Sequence, residues 1–526
     1  MQKIFLLFTL MVLASCAKNP ATGKYHFSTL STQQEYDIGR QSRLHISNSK
    51  IYKDEAKQKY FNDLAQKIYK VGERPEKDLI VYFMNDDAVN ASALPGYIFV
   101  NRGLMPFLYD EAALMAILAH EAGHINSMHM ARKHSNHFLI NWLLNSFTPG
   151  VTRGNKNQIS QGFSLHHSRA YEYEADELSV RYLNKMDVPA ENAMFTFKAF
   201  QASEDIDNKM ANLNEYKRGP IKPTAEHLRT HPLSDKRVKF IADKSNKWYE
   251  LLEPYRQKEF YDQIDGLVYG YSGRNGKDLT EKYDLKDARS GVYGFQNIAY
   301  FKKLKLKMTM PENYQARVMS SDPVGFNYNK QVKVSVYNVS DDKNIYAVDV
   351  VANMLKLTDD QKDDLKDQFR KSKQDGMTGR EQLVAYTKSP SLLKRLFGKQ
   401  TKYYYIYIKQ LDDASLANYM NHFRLVVLSS NIKKSFDETM RNDILFIKDN
   451  LVELTKKQAS SIKPLTIKVK RAKAGETIEQ LSSKNIPYIH FNQEWFRIFN
   501  GLFNELTTEI QPGTLLKTVP NPNKDI

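Results

Sequence analysis

Apolar residues recur at helical spacing after Asp110, at Leu114, Ile117, Leu118 and Ile125. The stretch from 110 to 134 contains no proline. Asp110 is a residue type favoured at the N-cap, and Glu111 complements the positive end of the helix dipole in the first turn. The pattern therefore predicts one buried amphipathic helix over residues 110–134.

A second apolar stripe predicts another helix over residues 166–183, with Tyr171, Ala175, Leu178 and Tyr182 on one face. Past residue 260 the pattern changes to the alternation typical of strands, at 304–311, 331–339, 344–355, 402–411 and 423–430. The third of these stretches also has some helical character. Residues 359–376 are densely charged and predict an exposed helix. Together these elements predict an α+β protein.

Composition narrows the class of protein. A chain of 526 residues is long enough for about two to four domains. Its 41% hydrophobic and 12% aromatic content excludes a disordered chain. The 76 basic and 60 acidic residues give a net charge of +16, which favours anionic partners such as lipid headgroups or wall polymers. We find no nucleic-acid motif, so we expect no nucleic acid partner and favour an envelope surface. The alternative is that the charge only aids solubility.

The N-terminus has the pattern of a secretory signal, with Lys3, an apolar run over 4–13 and small residues before Cys16. The run is too short to span a bilayer. Cys16 is the single cysteine, so no disulfide can form within the chain. The stretch "LASC" resembles the bacterial lipobox, which implies cleavage after residue 15 and lipidation of Cys16. The alternative is an ordinary signal peptide with a chance cysteine.

The first predicted helix carries candidate chemistry. His120 and His124 lie four residues apart and therefore share one face. Two imidazoles so placed can bind one zinc ion, and Glu121 beside them can serve as the general base of a metalloprotease. The alternative is an ordinary helix surface. His129 and His134 follow further round the helix, and we assign them to the surface or to a supporting role.

A catalytic zinc ion needs a third protein ligand and one open position. Glu172 and Asp176 lie four apart on the second predicted helix, so Glu172 can bind the metal while Asp176 accepts the outer N–H of a ligand histidine. Glu174 lies two residues from Glu172, about 200° round the helix, and is expected to face solvent. The alternative is a solvated acidic face.

With these motifs in order, the sequence resembles the HtpX and CAAX-prenyl endopeptidase family of zinc metallopeptidases, most of all its periplasmic BepA, LoiP and Oma-type branch. The resemblance rests on "HEAGH", "SRAYEYEAD", "NPATGKYHFSTLSTQQEYDIGRQ", "NASALPGYIFVNRGLM" and "THPLSDKR". It implies a mainly helical zincin-type domain that binds one zinc ion per chain through His120, His124 and Glu172. It departs from the family where Tyr97 follows Gly96, since the family often has two glycines there.

The resemblance also implies that His231 and Arg237 lie beside the active site. His231 would stabilise the oxyanion of the tetrahedral intermediate or occupy the open metal position in a resting form. Arg237 would pair with an acidic residue and fix its loop. The alternative for His231 is a His-Pro helix start with no catalytic role.

The strand "YIFVN" has a predicted role in binding substrate. A protease holds its substrate extended, and an exposed strand edge does so through backbone pairing. We therefore predict a substrate strand with broad specificity and a preference for unfolded chains, formed by Tyr97, Ile98, Phe99 and Val100. The alternative is a plain core strand.

The end of the chain resembles a degenerate LysM module, on "AGETIEQL", "NGL" and "PGTLL". Such modules bind the glycan of peptidoglycan, and the alternative is a structural cap without a ligand. We therefore divide the chain into a signal peptide (1–15), a zinc metallopeptidase domain (16–260), an α+β accessory domain (261–460) and a LysM-like module (461–526).

These features together predict a zinc endopeptidase of the bacterial envelope that degrades misfolded or stalled proteins. We expect it to be lipid-anchored and to face the periplasm, on the outer rather than the inner membrane. One alternative is a peptidoglycan endopeptidase, suggested by the LysM-like end. Another is a non-proteolytic chaperone or scaffold, against which the intact Glu121 argues, since a pure binder has no need of that base.

Overall fold

The computed structural model describes residues 16–75, 79–135, 153–212, 237, 239–240, 243, 253–270, 292–302, 305–312, 314–318, 323–327, 332–339, 351–352, 355–371, 381–388, 402–410, 423–430, 438–504 and 506–526. Contacts along the chain divide it into two compact units. The first contains Met1–Glu204, Lys222–Asp265 and Arg497–Glu505, and the second contains Asp205–Ile221, Gly266–Phe496 and Leu506–Ile526. Both units combine helices with sheets, so the predicted α+β class is confirmed. No helix among the described residues has the length and apolar character to cross a bilayer.

The described part of the first unit contains both strands and helices. The strands are β1 (Cys16–Lys18), β2 (Tyr25–Phe27), β3 (Ile80–Met84), β4 (Ala91–Leu94) and β5 (Tyr97–Asn101). The helices are α1 (Thr32–Leu44), α2 (Glu55–Lys70), α3 (Glu111–Asn126), α4 (Arg153–Lys185), α5 (Ala193–Asn212) and α6 (Gln257–Ile264). Short 3-10 turns occupy Asn48–Lys50, Arg102–Phe107 and Ala190–Asn192. The end of α5 lies beyond the boundary of this unit at Glu204.

The central sheet of the first unit has the order β3-β5-β4, so the predicted substrate strand β5 is the middle strand. It pairs in parallel with β3 and antiparallel with β4. Tyr97, Ile98, Phe99 and Val100 are therefore paired on both sides, and the predicted exposed strand edge at these residues is wrong. β4 precedes β5 and pairs with it across a two-residue turn at Gly96, whose φ of +82° favours glycine, so β4 covers one edge of β5 while β3 covers the other.

The helix α3 is buried on almost every side. Its N-cap is Asp110, whose carboxylate accepts the N–H of Ala113 at 2.8 Å. All residues of α3 except His124 are buried, so the helix has no solvent-exposed polar face. The predicted continuation to residue 134 is also wrong, since Met128 has a φ of +55° and a separate helical segment follows over 129–135.

Close packing fixes α3 against α4, the helix predicted over 166–183. A Cβ on Gly123 would lie 3.2 Å from backbone atoms of Ala175 and from Cβ of Leu178. This glycine therefore lets the two helix backbones approach closely one residue before His124. The same approach brings the histidines of α3 opposite the carboxylates of α4.

The second unit contains the strands β6 (Val292–Phe295), β7 (Ile298–Phe301), β8 (Leu306–Thr309), β9 (Tyr314–Val318), β10 (Pro323–Asn327), β11 (Val332–Val339), β12 (Glu381–Lys388), β13 (Lys402–Gln410), β14 (Phe423–Ser430), β15 (Leu451–Glu453), β16 (Lys468–Arg471) and β17 (Leu515–Thr518). Its helices are α7 (Asp359–Lys371), α8 (Glu438–Asp449), α9 (Lys456–Ser461), α10 (Ile478–Asn485) and the first residues of α11 (Asn492–Asn500). The sheets have the orders β12-β13-β14-β11-β10-β9 and β15-β8-β7-β6, with β16 and β17 forming a third.

Four of the five predicted strand stretches of this region are confirmed, as β8, β11, β13 and β14. The remaining stretch, 344–355, is helical at Val351 and Ala352. Its residues 344–350, 353 and 354 lie outside the described part of the chain. The charged helix is confirmed as α7.

The end of the chain runs β16, α10, α11, β17, and the two strands pair antiparallel. The predicted turn into α10 is present, with Gly475 at a φ of +75° and Thr477 as the N-cap in a capping box with Gln480. Within the first unit, Gly501 at the end of α11 lies so close to Tyr109 that a Cβ there would be 2.6 Å from its ring.

Candidate metal centre

Three side chains from α3 and α4 converge on one point. The Nε2 atoms of His120 and His124 lie 3.0 Å apart. The Oε2 atom of Glu172 lies 3.3 Å from Nε2 of His120, and its Oε1 atom lies 3.6 Å from Nε2 of His124. Tetrahedral zinc with donors at about 2.0–2.2 Å requires roughly 3.3–3.6 Å between donor atoms. The two distances to Glu172 lie in this range, and the 3.0 Å between the imidazole nitrogens is slightly shorter. The three side chains are thus close enough together to hold one metal ion.

Behind His120 lies a buried carboxylate. The carboxylate belongs to Asp176, one turn along α4 from Glu172, and its Oδ1 atom lies 2.9 Å from Nδ1 of His120. Arg237 donates to both oxygens of Asp176, from Nε at 2.6 Å and from Nη2 at 2.7 Å, and its Nη1 lies 3.3 Å from Glu172. All four side chains are nearly inaccessible to solvent. This geometry fixes the ring of His120 with Nε2 turned towards the cluster.

The electrostatics of this pocket favour a cation. Burial lowers the pKa of His120, but hydrogen bonds to Asp176 and Glu172 outweigh it and raise that pKa to about 10. Burial opposes ionisation of Asp176, yet hydrogen bonds from Arg237 and His120 lower its pKa. A proton on His120 compensates the negative charge of Asp176 and Glu172, and a metal ion would neutralise the same charge.

Glu121 follows His120 on α3 and is only 1% exposed. Neighbouring residues on a helix lie about 100° apart, so Glu121 borders the face that carries the two histidines. A carboxylate in this position is shielded from bulk solvent and lies next to the cluster.

His124 is supported differently from His120. Its Nδ1 atom lies 2.7 Å from Nδ1 of His129, and Nε2 of His129 faces Oε1 of Glu174 at 3.6 Å. Glu174 also accepts from Arg132 at 2.8 and 3.0 Å and from the amide of Asn19 at 2.9 Å. The prediction that Glu174 faces solvent is therefore wrong. His129, predicted at the surface or in a supporting role, is buried and contacts His124, as the supporting role requires. The positive φ at Met128 turns the chain and returns His129 to His124.

Side chains from the segments before and after α2 contact the C-terminal end of α3. Asn19 is buried and lies 3.4 Å from the carbonyl of Ser127. From α1, Glu35 forms a buried ion pair of 2.9 Å with Arg74, and Arg74 also donates to the carbonyl of Ile125 at 3.0 Å. These residues are not part of the predicted site, because tertiary contacts between distant segments leave no periodic signal.

The remaining candidates lie apart from the cluster or outside the described residues. Cys16 begins β1, opposite Phe27 of β2. His134 is exposed, and its Nδ1 atom lies 3.5 Å from Oγ1 of Thr29. The predicted signal residues 1–15 and His231 lie outside the described part of the chain.

Part of the chain is similar to known proteins. Residues 55–245 match the model of Peptidase family M48. The chain is 24% identical over 282 residues to the beta-barrel assembly-enhancing protease of Yersinia pestis, which covers 50% of this chain and 54% of that protein. It is 23% identical over 299 residues to the protein of the same name from Escherichia coli K12, covering 52% and 58%. It is also 24% identical over 190 residues to the mitochondrial metalloendopeptidase OMA1 of Schizosaccharomyces pombe, covering 35% and 52%.

The chain thus spans little more than half the length of these curated relatives. The matched region contains both histidines of α3, the carboxylates of α4 and Arg237. Residues 55–245 are therefore similar to peptidase family M48, and about half of the chain is similar to the beta-barrel assembly-enhancing proteases.

Proposed function

We propose that this chain is a zinc-dependent endopeptidase of the bacterial envelope that hydrolyses misfolded or misassembled proteins. The observation that carries the proposal is the cluster of three side chains in which the Nε2 atoms of His120 and His124 lie 3.0 Å apart, and the two oxygens of Glu172 lie 3.3 Å from the first and 3.6 Å from the second. A buried carboxylate, Glu121, borders this cluster. Metal-assisted hydrolysis of a peptide bond requires metal ligands close to a general base. Here both lie on the pair of helices α3 and α4.

In this proposal His120, His124 and Glu172 hold one zinc ion. The ion would polarise the scissile carbonyl and lower the pKa of water towards neutrality. Two imidazoles and one carboxylate leave a fourth position open for substrate. Asp176 and Arg237 keep His120 oriented through the contacts at 2.9, 2.6 and 2.7 Å.

Glu121 acts as the general base. Its carboxylate takes a proton from the attacking water and later delivers it to the leaving amine. Burial next to the cluster excludes bulk water, which strengthens such a proton transfer. His231 would stabilise the oxyanion or close the open position, as the family resemblance implies.

The edge of the sheet that can take a substrate is β4, since β5 is the middle strand. In β4, Ser92 is exposed, while Ala93 and Leu94 are half-buried. Among the described strands, none pairs with the outer side of β4. An extended substrate would add to that side through backbone hydrogen bonds, which gives broad specificity and a preference for unfolded chains.

The envelope location is proposed from several features. The relatives in bacteria are named for enhancing beta-barrel assembly. The net charge of +16 favours anionic surfaces, and the proposed lipid on Cys16 would tether the chain to the outer membrane, facing the periplasm. The LysM-like module would add contact with peptidoglycan, although Trp495 there is only 4% exposed and has little surface for stacking on a sugar.

The test is a set of parallel incubations of the purified protein. Unfolded casein and purified peptidoglycan are each offered with and without a chelator, followed by restoration with zinc. We expect cleavage of casein alone, lost with the chelator and regained with zinc. Release of wall fragments would instead support a peptidoglycan endopeptidase. Binding of unfolded casein without cleavage in any zinc-loaded sample would support the chaperone alternative.

Anchoring has its own test. A Cys16→Ala variant, expressed with its signal, should leave the membrane fraction while zinc content and casein cleavage stay as in the wild type. A processed Cys16→Ala protein that still sediments with membranes contradicts the lipid anchor.

A further inference from the structure

The contact between His124 and His129 fixes the protons on both rings. A histidine that gives Nε2 to a metal must carry its proton on Nδ1. The Nδ1 atom of His124 lies 2.7 Å from Nδ1 of His129, so with a metal on Nε2 of His124 its Nδ1–H would donate to His129. His129 would then carry its own proton on Nε2, the atom that faces Glu174 at 3.6 Å.

The edge of the His129 ring that carries Nε2 faces the carboxylate of Glu174. A separation of 3.6 Å is longer than a hydrogen bond, so Glu174 acts on the Nε2–H of His129 as a neighbouring negative charge. Arg132 and Asn19 donate to Glu174 and keep its carboxylate in place. The ring of His129 also stacks on Tyr171, with centroids 4.5 Å apart and 14° between planes. Its orientation is thus fixed by its two edges and one face.

We propose that His129 and Glu174 are positioning residues that hold His124 in its metal-binding tautomer, and that Asn19 completes this support from outside the matched family domain. The inference rests on the proposed zinc site. Outer partners of ligand histidines raise ligand basicity and orient the ring. His120 receives this support directly from a carboxylate, and His124 receives it through a second imidazole.

Asn19 connects this support to a segment outside residues 55–245. It lies upstream of residues 55–245, in the turn that follows β1. Its Oδ1 atom accepts the N–H of Ala21 at 2.8 Å, while its Nδ2 donates to Glu174 at 2.9 Å. The asparagine therefore joins the N-terminal segment to the support of the metal site.

The experiment compares zinc affinity of the apo protein by competition with a chromophoric chelator. The variants are His129→Phe, which keeps a ring against Tyr171 but no acceptor, and His129→Gln, whose amide can accept and donate as the imidazole does. His134→Phe is the matched control, since His134 is an exposed histidine of the same helical segment. Cobalt absorption spectra report the coordination geometry of each protein.

We expect His129→Phe to bind zinc roughly 10–100-fold more weakly and to alter the cobalt spectrum, with most of the affinity restored in His129→Gln. His134→Phe should bind as the wild type does. Equal affinities of His129→Phe and the wild type would overturn the proposal and leave the zinc site standing. Equal weakening in His129→Gln or in His134→Phe would also overturn it. A wild-type protein that binds no zinc would overturn the proposed function itself.

A second variant covers the case in which His129→Phe does not fold. Glu174→Gln keeps an acceptor for Arg132 and Asn19 but removes the charge beside His129. We expect a loss of zinc affinity in the same direction as for His129→Phe, with an unchanged melting temperature of the apo protein. Unchanged zinc affinity in Glu174→Gln would overturn the role of Glu174.

Discussion

Oδ1 of Asp176 lies 2.9 Å from Nδ1 of His120, and both oxygens of the same carboxylate bind Arg237. Two buried groups of opposite charge thus lie behind one histidine. Removing one partner of such a buried set leaves the others uncompensated and costs more than an exposed ion pair would. The orientation of His120 therefore depends on Arg237, which is not itself in the donor cluster.

Replacing Arg237 tests that dependence. Arg237→Lys keeps the positive charge but cannot donate in a bidentate fork to Asp176. We expect zinc affinity to fall by roughly tenfold, because Asp176 is no longer fixed against His120. Chelator competition measures the change, and Arg40→Lys on the surface of α1 is the control. Wild-type affinity in Arg237→Lys would mean that Asp176 needs no such support.

The two glutamates of "EYEAD" should behave differently. Glu172→Ala should lose bound zinc and casein cleavage together, since it removes one of three donors. Glu174→Ala should still bind one zinc ion, but more weakly than the wild type, because the charge behind His129 is gone. Metal analysis at saturating and at limiting zinc separates these outcomes. A zinc-loaded Glu172→Ala protein beside a zinc-free Glu174→Ala protein would reverse the assignment.

Proton release provides a test that needs no mutation. The pKa of His120 is raised to about 10 in the metal-free protein, so this ring is protonated at neutral pH. Zinc must displace that proton, and apparent zinc affinity should therefore rise with pH up to about 10. Titration calorimetry at pH 7.5 in buffers of different ionisation enthalpy should show at least one proton released per zinc ion. Zinc binding without proton release contradicts a protonated His120.

Short-range geometry explains what the sequence predicts well. The start of α3 follows from Asp110, whose side chain caps the helix as expected. The spacing of His120 and His124, and of Glu172 and Asp176, sets which residues share a helix face. These relations depend on residues within one or two turns, so they are legible along the chain.

Long-range structure explains what the sequence predicts poorly. The end of α3 depends on a positive φ at Met128, a residue type that gives no warning of it. The middle position of β5 depends on strand order, and the burial of Glu174 depends on Asn19 and Arg132, which lie far from it along the chain. Contacts of this kind leave no period in the sequence.

The most direct test of the account is casein cleavage by the zinc-loaded Glu121→Gln protein beside the wild type. The carboxamide keeps the size of Glu121 but cannot take a proton from water. We expect one zinc ion per chain in both proteins and a rate roughly 10²–10⁴-fold lower in Glu121→Gln. Cleavage at the wild-type rate by a zinc-loaded Glu121→Gln protein would contradict the claim that this chain is a metallopeptidase with Glu121 as its base.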